Sequence, residues 1–404
     1  MSSEPKNAAE IDVENGLAGI RGFEYSGVSA GLKASGGKDV ALVRNVGPEF
    51  TAAAVFTTNR FAAAPVEWSR EVVRDGRVDV VVLNSGGANA CTGTEGFRNT
   101  HRTAEEVASL TDAAAGDVLV CSTGLIGEQL PMDLLLPGLR DAAGSLGEGP
   151  EHDDAAASAI MTTDTVSKKA SVTLQTEQGP VRIGGIAKGA GMLAPGLATM
   201  LVVLATDASM SADNLDAALR SATERSFDRA DSDGCMSTND TVALLASGAS
   251  GAVPEQEEFT DALTRVCVSL ALQLIGDAEG ASHDIHVTTA GAASEAQALE
   301  VSRAVARSNL FKCAIFGNDP NWGRILSEVG TTSVDFDSSD VNVSINGVMV
   351  CRGGAIGEDR SLVDLAADRT VDVVIDLGAG SESGTIWTND LTHDYVEENS
   401  AYSS

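Results

Sequence analysis

GGIAKGAGMLAPGLATMLVVLATDA, residues 184–208, joins a loop of small residues to an apolar run that is typical of a buried strand. The window 178–206 around it contains no acidic residue. The 404-residue chain has 58 acids, and its average would place about four in such a window. Lys188 is the one lysine of the window, and burying its charge costs free energy unless it meets an anion. That anion is either a substrate carboxylate or a distant Asp of the fold, and the spacing leaves both open.

The apolar run TMLVVLA begins at Thr199, directly after the small residue Ala198. A β-branched Thr is an ordinary residue at the start of a strand. The same arrangement is also typical of an N-terminal nucleophile, in which the chain cuts its own Ala198–Thr199 bond. The freed Thr hydroxyl then attacks the substrate, and the new α-amino group, with a pKa of about 7.7–8.0, serves as the base. The segment alone does not decide between the two interpretations.

The charge of the chain excludes one class of function and suggests an environment. The formal net charge is −31, and only seven of the 27 basic residues are Lys, so we expect no nucleic-acid binding. The acids are spread along the chain, which favours a salt-adapted, halophilic source over an ordinary acidic enzyme. No apolar run reaches the length of a membrane span, and the polar, acidic first residues are unlike a signal peptide. We therefore expect a cytoplasmic protein without membrane contact.

The acid excess predicts a dependence of stability on salt. With 58 acids against 27 bases, repulsion between like charges destabilises the fold in dilute buffer. Molar KCl shortens the screening length to about 3 Å, so the melting temperature should rise between dilute buffer and molar KCl. A melting temperature that stays flat or falls would contradict the halophilic interpretation without affecting any inference about catalysis.

The cysteines and histidines give no metal-binding pattern. The six cysteines include no CxxC pair, and the five histidines are scattered. The segment HDIH, residues 283–286, alternates as a strand does, which favours a strand over a metal ligand pair. We predict no metal site and no bound cofactor.

Hydrophobic periodicity predicts short strands that alternate with amphipathic helices. The predicted strands cover 39–45, 51–58, 78–84, 116–123, 171–189, 199–207, 283–291, 312–319, 342–350 and 370–378. The predicted helices cover 101–112, 132–143, 211–226, 255–276, 293–307 and 361–368. The acidic, Gly-containing segment 145–158 is predicted to be an exposed loop or the entry to a helix.

Three of the predicted strands run into loops of small polar residues: SGGANACTGTEG after 78–84, STGLIGEQ after 116–123, and GNDPNWGR after KCAIF. Such loops expose backbone N–H groups and hydroxyls with little bulk around them, which suits an anion or an oxyanion. Simple turn chemistry explains the same composition, because Gly, Asn and Ser dominate turns. Both explanations stay open.

Ordered motifs along nearly the whole chain resemble the ornithine acetyltransferase (ArgJ) family. The motifs are NSGGANACTG, STGLIGEQLPM, IMTTDT, KGAGMLAPGLATML, DSDGCMSTNDT, DAEGAS, GNDPNWGRI and LTHDYVEENSAYSS. The resemblance implies an α+β fold, a DmpA-like four-layer αββα sandwich of the self-cleaving N-terminal-nucleophile type. It also implies a precursor cut into an α chain, residues 1–198, and a β chain, residues 199–404, with Thr199 as the nucleophile. Thr123 and Gly124 would form the oxyanion hole.

The resemblance also implies which residues bind substrate. They are Thr162, Lys188, Thr199, Glu279, Asn399 and Ser404, with Thr163 as an alternative to Thr162. The cation of Lys188 would hold a carboxylate, the acid of Glu279 an amino group, and Asn399 and Ser404 would fold over the pocket. The chain departs from the family pattern at Cys235, Ala278 and His283, which puts only local packing or a charge contact near Glu279 in doubt.

The implied reaction moves acetyl from N2-acetylornithine to glutamate by a ping-pong route in arginine biosynthesis. Acetyl-CoA could be a second donor, and the resemblance suggests an α2β2 heterotetramer. Two alternatives are a DmpA-like aminopeptidase, which typically has Ser at the cut, and an uncleaved protein that binds acylated amino acids without turnover.

Overall fold

The computed structural model describes residues 10–194 and 200–401, so Ala198, Thr199 and Ser404 lie outside the described residues. The strands are β1 Phe23–Val28, β2 Val40–Asn45, β3 Thr51–Phe56, β4 Val80–Ser85, β5 Val118–Thr123, β6 Lys168–Thr176, β7 Gly179–Lys188, β8 Leu201–Thr206, β9 Thr241–Ala246, β10 Asp284–Ala292, β11 Asn342–Ile345, β12 Val348–Arg352, β13 Ala355–Ile356, β14 Thr370–Asp376 and β15 Glu382–Asn389. The helices are α1 Ala64–Val72, α2 Gly93–Thr111, α3 Met132–Gly144, α4 Pro150–Ile160, α5 Ala212–Glu224, α6 Gln256–Gly276, α7 Glu295–Ala306, α8 Asn309–Phe316, α9 Trp322–Val329 and α10 His393–Ala401.

Two sheets face each other across a shared apolar layer. The first sheet has the order β1-β2-β4-β5 and the second the order β3-β9-β8-β7-β6. Alternate residues of each strand point into the space between the sheets, such as Val81 and Leu83 from the first sheet and Val203 and Ala205 from the second. Helix α4 packs into the same layer. The layer is built mainly from Ala, Val and Leu, as the low aromatic content predicts.

Helices cover the outer face of both sheets. Helices α2 and α3 pack on the first sheet, where Val107 and Leu139 meet the outward-facing Val82. Helices α5 and α6 pack on the second sheet, where Leu219 and Leu263 belong to its outer core. The predicted α+β fold with αββα layers is therefore confirmed.

By length and composition alone, helix α6 is apolar enough to cross a membrane. Half of its most apolar stretch is buried inside the fold, and it packs against β6, β7 and α5. It is a core helix of the sandwich.

A third sheet has the order β13-β12-β11-β14-β10-β15. The sequence did not predict it as a separate layer. Helices α7, α8 and α9 share one apolar cluster with it. The last helix, α10, follows β15 and returns towards the first two sheets, where Gly280 lies against the backbone of Tyr395. The segment that looks like a polar tail is therefore partly helical.

Several predicted elements are wrong or incomplete. Residues 312–319 were predicted as a strand, but most of them lie in α8, whose first turn is capped by the Ser308 hydroxyl. A short apolar run does not distinguish strand from helix. The predicted helix 361–368 is only a short 3₁₀ turn, because the carboxylates of Asp364 and Asp368 accept local backbone N–H groups. Strands β1 and β15 and helices α1 and α9 were not predicted, and α2 begins at Gly93 rather than at 101.

Strands from both sides of the predicted cut lie in one sheet. β7 ends at Lys188 and pairs antiparallel with β8, and β8 pairs parallel with β9. Gly184, in the middle of β7, leaves room for a neighbouring segment, because a Cβ there would lie 2.1 Å from the Gly16 carbonyl. The proposed α and β chains are thus not two spatial domains. The second sheet would hold them together after cleavage.

Candidate functional site

A cavity of about 350 Å³ lies beside the gap between residues 194 and 200, and its size suits a small ligand. The loops after β5, α4, β7 and α6, the segment before β9 and the helix α10 form its wall. Six of the predicted site residues line it: Thr123, Gly124, Thr162, Lys188, Glu279 and Asn399. Thr163 lines it too, so the choice between Thr162 and Thr163 stays open. The structure thus brings together residues that lie up to 276 positions apart in the chain.

Thr123 and Gly124 sit where β5 ends. The Thr123 side chain is buried, and its carbonyl accepts the N–H groups of Gly86 and Gly87 at 2.9 and 3.0 Å. Gly124 has φ 131°, and a Cβ there would lie 2.5 Å from the Gly87 nitrogen, so only glycine fits. The loops after β4 and β5, two of the three small-residue loops, therefore support each other. The third, GNDPNWGR, joins α8 to α9 and does not line the cavity.

Lys188 is the last residue of β7, and 1% of its surface is exposed. Its Nζ donates a hydrogen bond to Thr123 Oγ1 at 3.2 Å. Among the residues that the structure describes, none places a carboxylate within 4 Å of this ammonium. Burial lowers the pKa of Lys188, and the negative charge of Asp164 opposes that effect. The carboxylate of Asp164 is the nearby acid that the sequence analysis left open, but it forms its ion pair with another lysine, Lys168.

Asp164 organises the loop that carries Thr162. Its Oδ2 accepts the Thr162 N–H at 2.9 Å, and its Oδ1 accepts the Gly189 N–H at 2.6 Å. Burial alone would raise the pKa of Asp164, but the charges of Lys188 and Lys168 bring it down to about 2. Asp164 therefore stays ionised and connects the loop after α4 to the loop after β7.

Glu279 and Asn399 meet in the wall of the cavity. Asn399 Nδ2 donates to Glu279 Oε2 at 2.9 Å and to the Tyr395 carbonyl at 3.0 Å. The Glu279 N–H donates to the Ala190 carbonyl at 3.0 Å, which fixes the loop after α6 against the loop after β7. A Cβ on Gly191 would lie 2.6 Å from the Glu279 carboxylate, so a small residue is needed there. The helix α10 is thereby tied to the cavity by a direct contact.

Two supporting residues, Asn239 and Asp240, lie in the segment STND, for which the sequence alone predicted no role. Asn239 Nδ2 donates to the carbonyls of Ala88 and Ser122 at 2.6 and 2.8 Å, which holds the loops after β4 and β5. The fully buried Asp240 accepts the Met200 N–H at 3.1 Å through Oδ1. Burial raises the pKa of Asp240 well above its usual range. The position of STND directly before a buried strand was the available signal.

Asp240 acts at the first described residue after the gap. The Met200 carbonyl accepts the Thr241 N–H at 3.2 Å, as a continued parallel ladder requires. The Met200 N–H goes instead to the Asp240 side chain. Within the described residues the Asp240 Oδ2 atom makes no hydrogen bond, although the hydroxyls of Ser237 and Thr57 lie close enough to lower its pKa. Residues 240 and 241 therefore hold both the N–H and the carbonyl of Met200, the residue directly before β8.

The three departures from the family pattern lie in different places. Cys235 lines the cavity, so this departure affects the site itself and not only the packing around it. His283 is paired with Asp390, with Nδ1 and Oδ2 2.8 Å apart, and does not line the cavity. Ala278 is buried in the core of the second sheet.

Within residues 10–194 and 200–401, no group of three His, Cys, Asp or Glu side chains could hold a metal ion. The two histidines of HDIH each face a different aspartate, Asp390 for His283 and Asp372 for His286. The lining of the cavity includes the buried ammonium of Lys188, the carboxylates of Asp233 and Glu279, and Gly124 beside several hydroxyl-bearing side chains: Thr123, Thr162, Thr163 and Tyr395. These groups suit a zwitterionic or acylated amino acid better than a metal.

Comparison with known proteins identifies the family of the chain. A model of the ArgJ family matches residues 24–404. An arginine biosynthesis bifunctional protein ArgJ of Streptomyces avermitilis is 60% identical over 388 residues, 96% of this chain and 100% of that protein. The protein of the same name in Mycolicibacterium paratuberculosis is 50% identical over 407 residues, covering 100% of both. A solved ornithine acetyltransferase of Mycobacterium tuberculosis, complexed with ornithine, is 47% identical, with TM-score 0.45, and covers 48% of this chain and 99% of that chain. The chain belongs to the ArgJ family, as its ordered motifs predict.

Proposed function

We propose that the chain is a glutamate N-acetyltransferase of arginine biosynthesis. It moves acetyl from N2-acetylornithine to glutamate through an acetyl ester on Thr199. The observation that carries this proposal is the cavity at the start of β8. There, Lys188 and Glu279 offer a cation and an acid in the lining of one cavity, together with the Thr123–Gly124 turn.

The charges of Lys188 and Glu279 suit both substrates. Acetylornithine and glutamate share an α-carboxylate, for which the Lys188 ammonium is the complementary charge. Glu279 and Asn399 supply an acceptor for an amino group, since Asn399 already holds the Glu279 carboxylate in place. Small ligands of this kind fit within about 350 Å³.

The acyl transfer needs a nucleophile, a base and an oxyanion site. The Thr199 hydroxyl attacks the acetyl carbonyl, and its proton passes to the α-amino group of Thr199. The negative charge that develops on the carbonyl oxygen is met by the Thr123 hydroxyl and the Gly124 N–H. Because Lys188 donates to Thr123 Oγ1, the hydroxyl proton of Thr123 remains free to point at the oxyanion. Ornithine leaves with the proton. The amine of glutamate then attacks the ester, giving N-acetylglutamate and restoring the hydroxyl.

The free α-amino group requires prior cleavage between Ala198 and Thr199. Asp240 supports this role by fixing the N–H of Met200, the second residue after the proposed cut. The second sheet supports it as well, because strands from both sides of the cut are paired there. The products are an α chain, residues 1–198, and a β chain, residues 199–404. We propose that they assemble further as an α2β2 heterotetramer in the cytoplasm.

The decisive assay incubates the purified protein with acetylornithine and glutamate, and in parallel with acetyl-CoA and glutamate. We expect ornithine and N-acetylglutamate in the first reaction. Product in the second would add the amino-acid N-acetyltransferase activity. Release of acetate without an acceptor would indicate a hydrolase of the aminopeptidase type. An intact chain that binds acetylornithine without turnover would indicate a binding protein.

Removing residues 399–404 should lower acetyl transfer at least about tenfold, equal to about 1.4 kcal/mol of transition-state stabilisation. The deletion removes the hydrogen bond from Asn399 to Glu279, and Ser404 is proposed to reach the substrate as well. Self-cleavage should persist, because it depends on residues near Thr199 and on the Thr123 turn. A denaturing gel for the two chains and an ornithine-release assay test both statements.

The matched control is Ser400→Ala, because Ser400 lies on the same helix and bonds only to the Glu397 carbonyl in the described part of the chain. Its activity should equal that of the unchanged protein. Full activity of the truncated enzyme would remove Asn399 and Ser404 from the site.

A further inference from the structure

A second buried lysine lies behind the cavity. Lys168 is the first residue of β6, and its side chain is fully buried. Its Nζ lies 2.7 Å from Asp164 Oδ1 and 2.6 Å from Asp277 Oδ2. Lys168 does not line the cavity. A buried cation between two acids is costly to build, so its place beside the site calls for a reason.

Asp164 is close to two lysines but paired with one. Its Oδ1 accepts hydrogen bonds from Lys168 Nζ and from the N–H of Gly189, the residue that follows Lys188. The charge of Lys188 is the strongest of the favourable charges acting on Asp164. Lys188 nevertheless points its ammonium at Thr123 Oγ1. The acid nearest to Lys188 is thus already neutralised by a different cation.

We infer that Lys168 is a positioning residue that keeps Lys188 free for a substrate carboxylate by neutralising Asp164. The inference rests on the proposed function, because it assumes that Lys188 receives that carboxylate. Without Lys168, the Asp164 charge would lie beside the Lys188–Gly189 peptide with no partner. In a buried setting the strong attraction between opposite charges would draw the Lys188 ammonium to it. The substrate would then compete with Asp164 for the same cation.

The charges around the site agree with this arrangement. Lys168 and Lys188 carry two positive charges, and Asp164 and Asp277 carry two negative charges. Both acids are committed elsewhere: Asp164 to Lys168 and Gly189, and Asp277 to Lys168 and to the Thr165 N–H at 3.0 Å. Loss of Lys168 would leave one net negative charge next to the proposed carboxylate site. That charge would repel an incoming carboxylate as well as compete for Lys188.

The test uses Lys168→Met with two donors, acetylornithine and its α-carboxamide, which lacks the charge. We expect KM for acetylornithine and for glutamate to rise at least about tenfold, a typical loss when a buried charge partner is removed. KM for the carboxamide should change by less than threefold. The matched control is Lys169→Met. Lys169 is the next residue and pairs with the exposed Asp154, so both KM values should stay unchanged.

A second variant separates competition by Asp164 from general damage to the loops. Lys168→Met/Asp164→Asn removes the competing carboxylate together with its neutralising partner. It should recover most of the lost affinity for acetylornithine and glutamate. A merely structural role predicts the reverse, since the double variant loses more hydrogen bonds than the single one.

Asp164→Asn alone keeps the inference testable if Lys168→Met does not fold. It conserves shape and leaves Lys168 paired with Asp277. We expect its KM for the acid to fall relative to its KM for the carboxamide, because Lys168, Lys188 and Asp277 together then carry one net positive charge. A rise confined to the acid would overturn the inference, as would equal losses for acid and carboxamide in Lys168→Met. Failure of the unchanged protein to transfer acetyl would instead overturn the proposed function.

Discussion

Replacing Thr199 with Ala should leave a single uncut chain of 404 residues and reduce acetyl transfer to the background rate. The same hydroxyl is proposed to cut the Ala198–Thr199 bond and to carry the acetyl group, and Ala has no atom that can do either. In the unchanged protein, mass analysis or stepwise N-terminal sequencing should find a chain that begins TMLVVL. Cleavage in the variant, or at another bond, would overturn the assignment of Thr199.

Two controls accompany this variant. Thr173→Ala changes a half-buried Thr of β6, which pairs with Arg182 in the same sheet, and should leave cleavage and transfer intact. Thr199→Ser keeps a hydroxyl and should still be cut. An uncut but active Thr199→Ala protein would show that Thr199 is not the nucleophile and that cleavage is not needed for transfer.

Thr123→Ala should lower turnover by roughly 10²–10³, the usual effect of losing one oxyanion donor. Affinity for acetylornithine should change much less, because the donor acts mainly on the charge of the tetrahedral intermediate. The variant also removes the hydrogen-bond acceptor of Lys188. Thr123→Ser keeps the hydroxyl and should retain most of the turnover. Steady-state kcat and KM for the three proteins separate these effects.

The outcome that would contradict this role is a large rise in KM with an unchanged kcat. Thr123 would then bind substrate in the ground state, and the Gly124 N–H would be the remaining candidate for the oxyanion. Slower self-cleavage in Thr123→Ala would agree with an oxyanion role, since the cut passes through a tetrahedral intermediate too.

Sequence reasoning reached the site through local signals. An acid-free window pointed to Lys188. Small residues after β5 suited either an oxyanion or a simple turn, and the roles of Thr123 and Gly124 came from the family resemblance. The roles of Glu279 and Asn399 came from ordered motifs, because nothing local in DAEG or in the C-terminal segment marks a pocket. The structure places all five around one cavity. The predicted residues Ala198, Thr199 and Ser404 lie outside the described residues, and their roles remain predictions.

Other features depend on neighbours that are distant in sequence. Lys168 owes its place to Asp277, 109 residues later, and Asn239 holds a carbonyl 151 residues earlier. No pattern within a short window contains such pairs. The segment 312–319 failed for a local reason: KCAIF is too short for its period to separate helix from strand, and the Ser308 cap decides in favour of the helix.

The pairing of β7 with β8 has a consequence for the life of the mature protein. In the uncut chain the two strands are tethered, and their encounter is independent of protein concentration. After the proposed cut, the same two strands would belong to separate polypeptides. Unfolding would then release two molecules, and refolding would become a bimolecular search that slows with dilution. Self-cleavage would thus be an irreversible step of maturation. The lifetime of the cut enzyme would then depend on its rate of unfolding, which the height of the unfolding barrier sets.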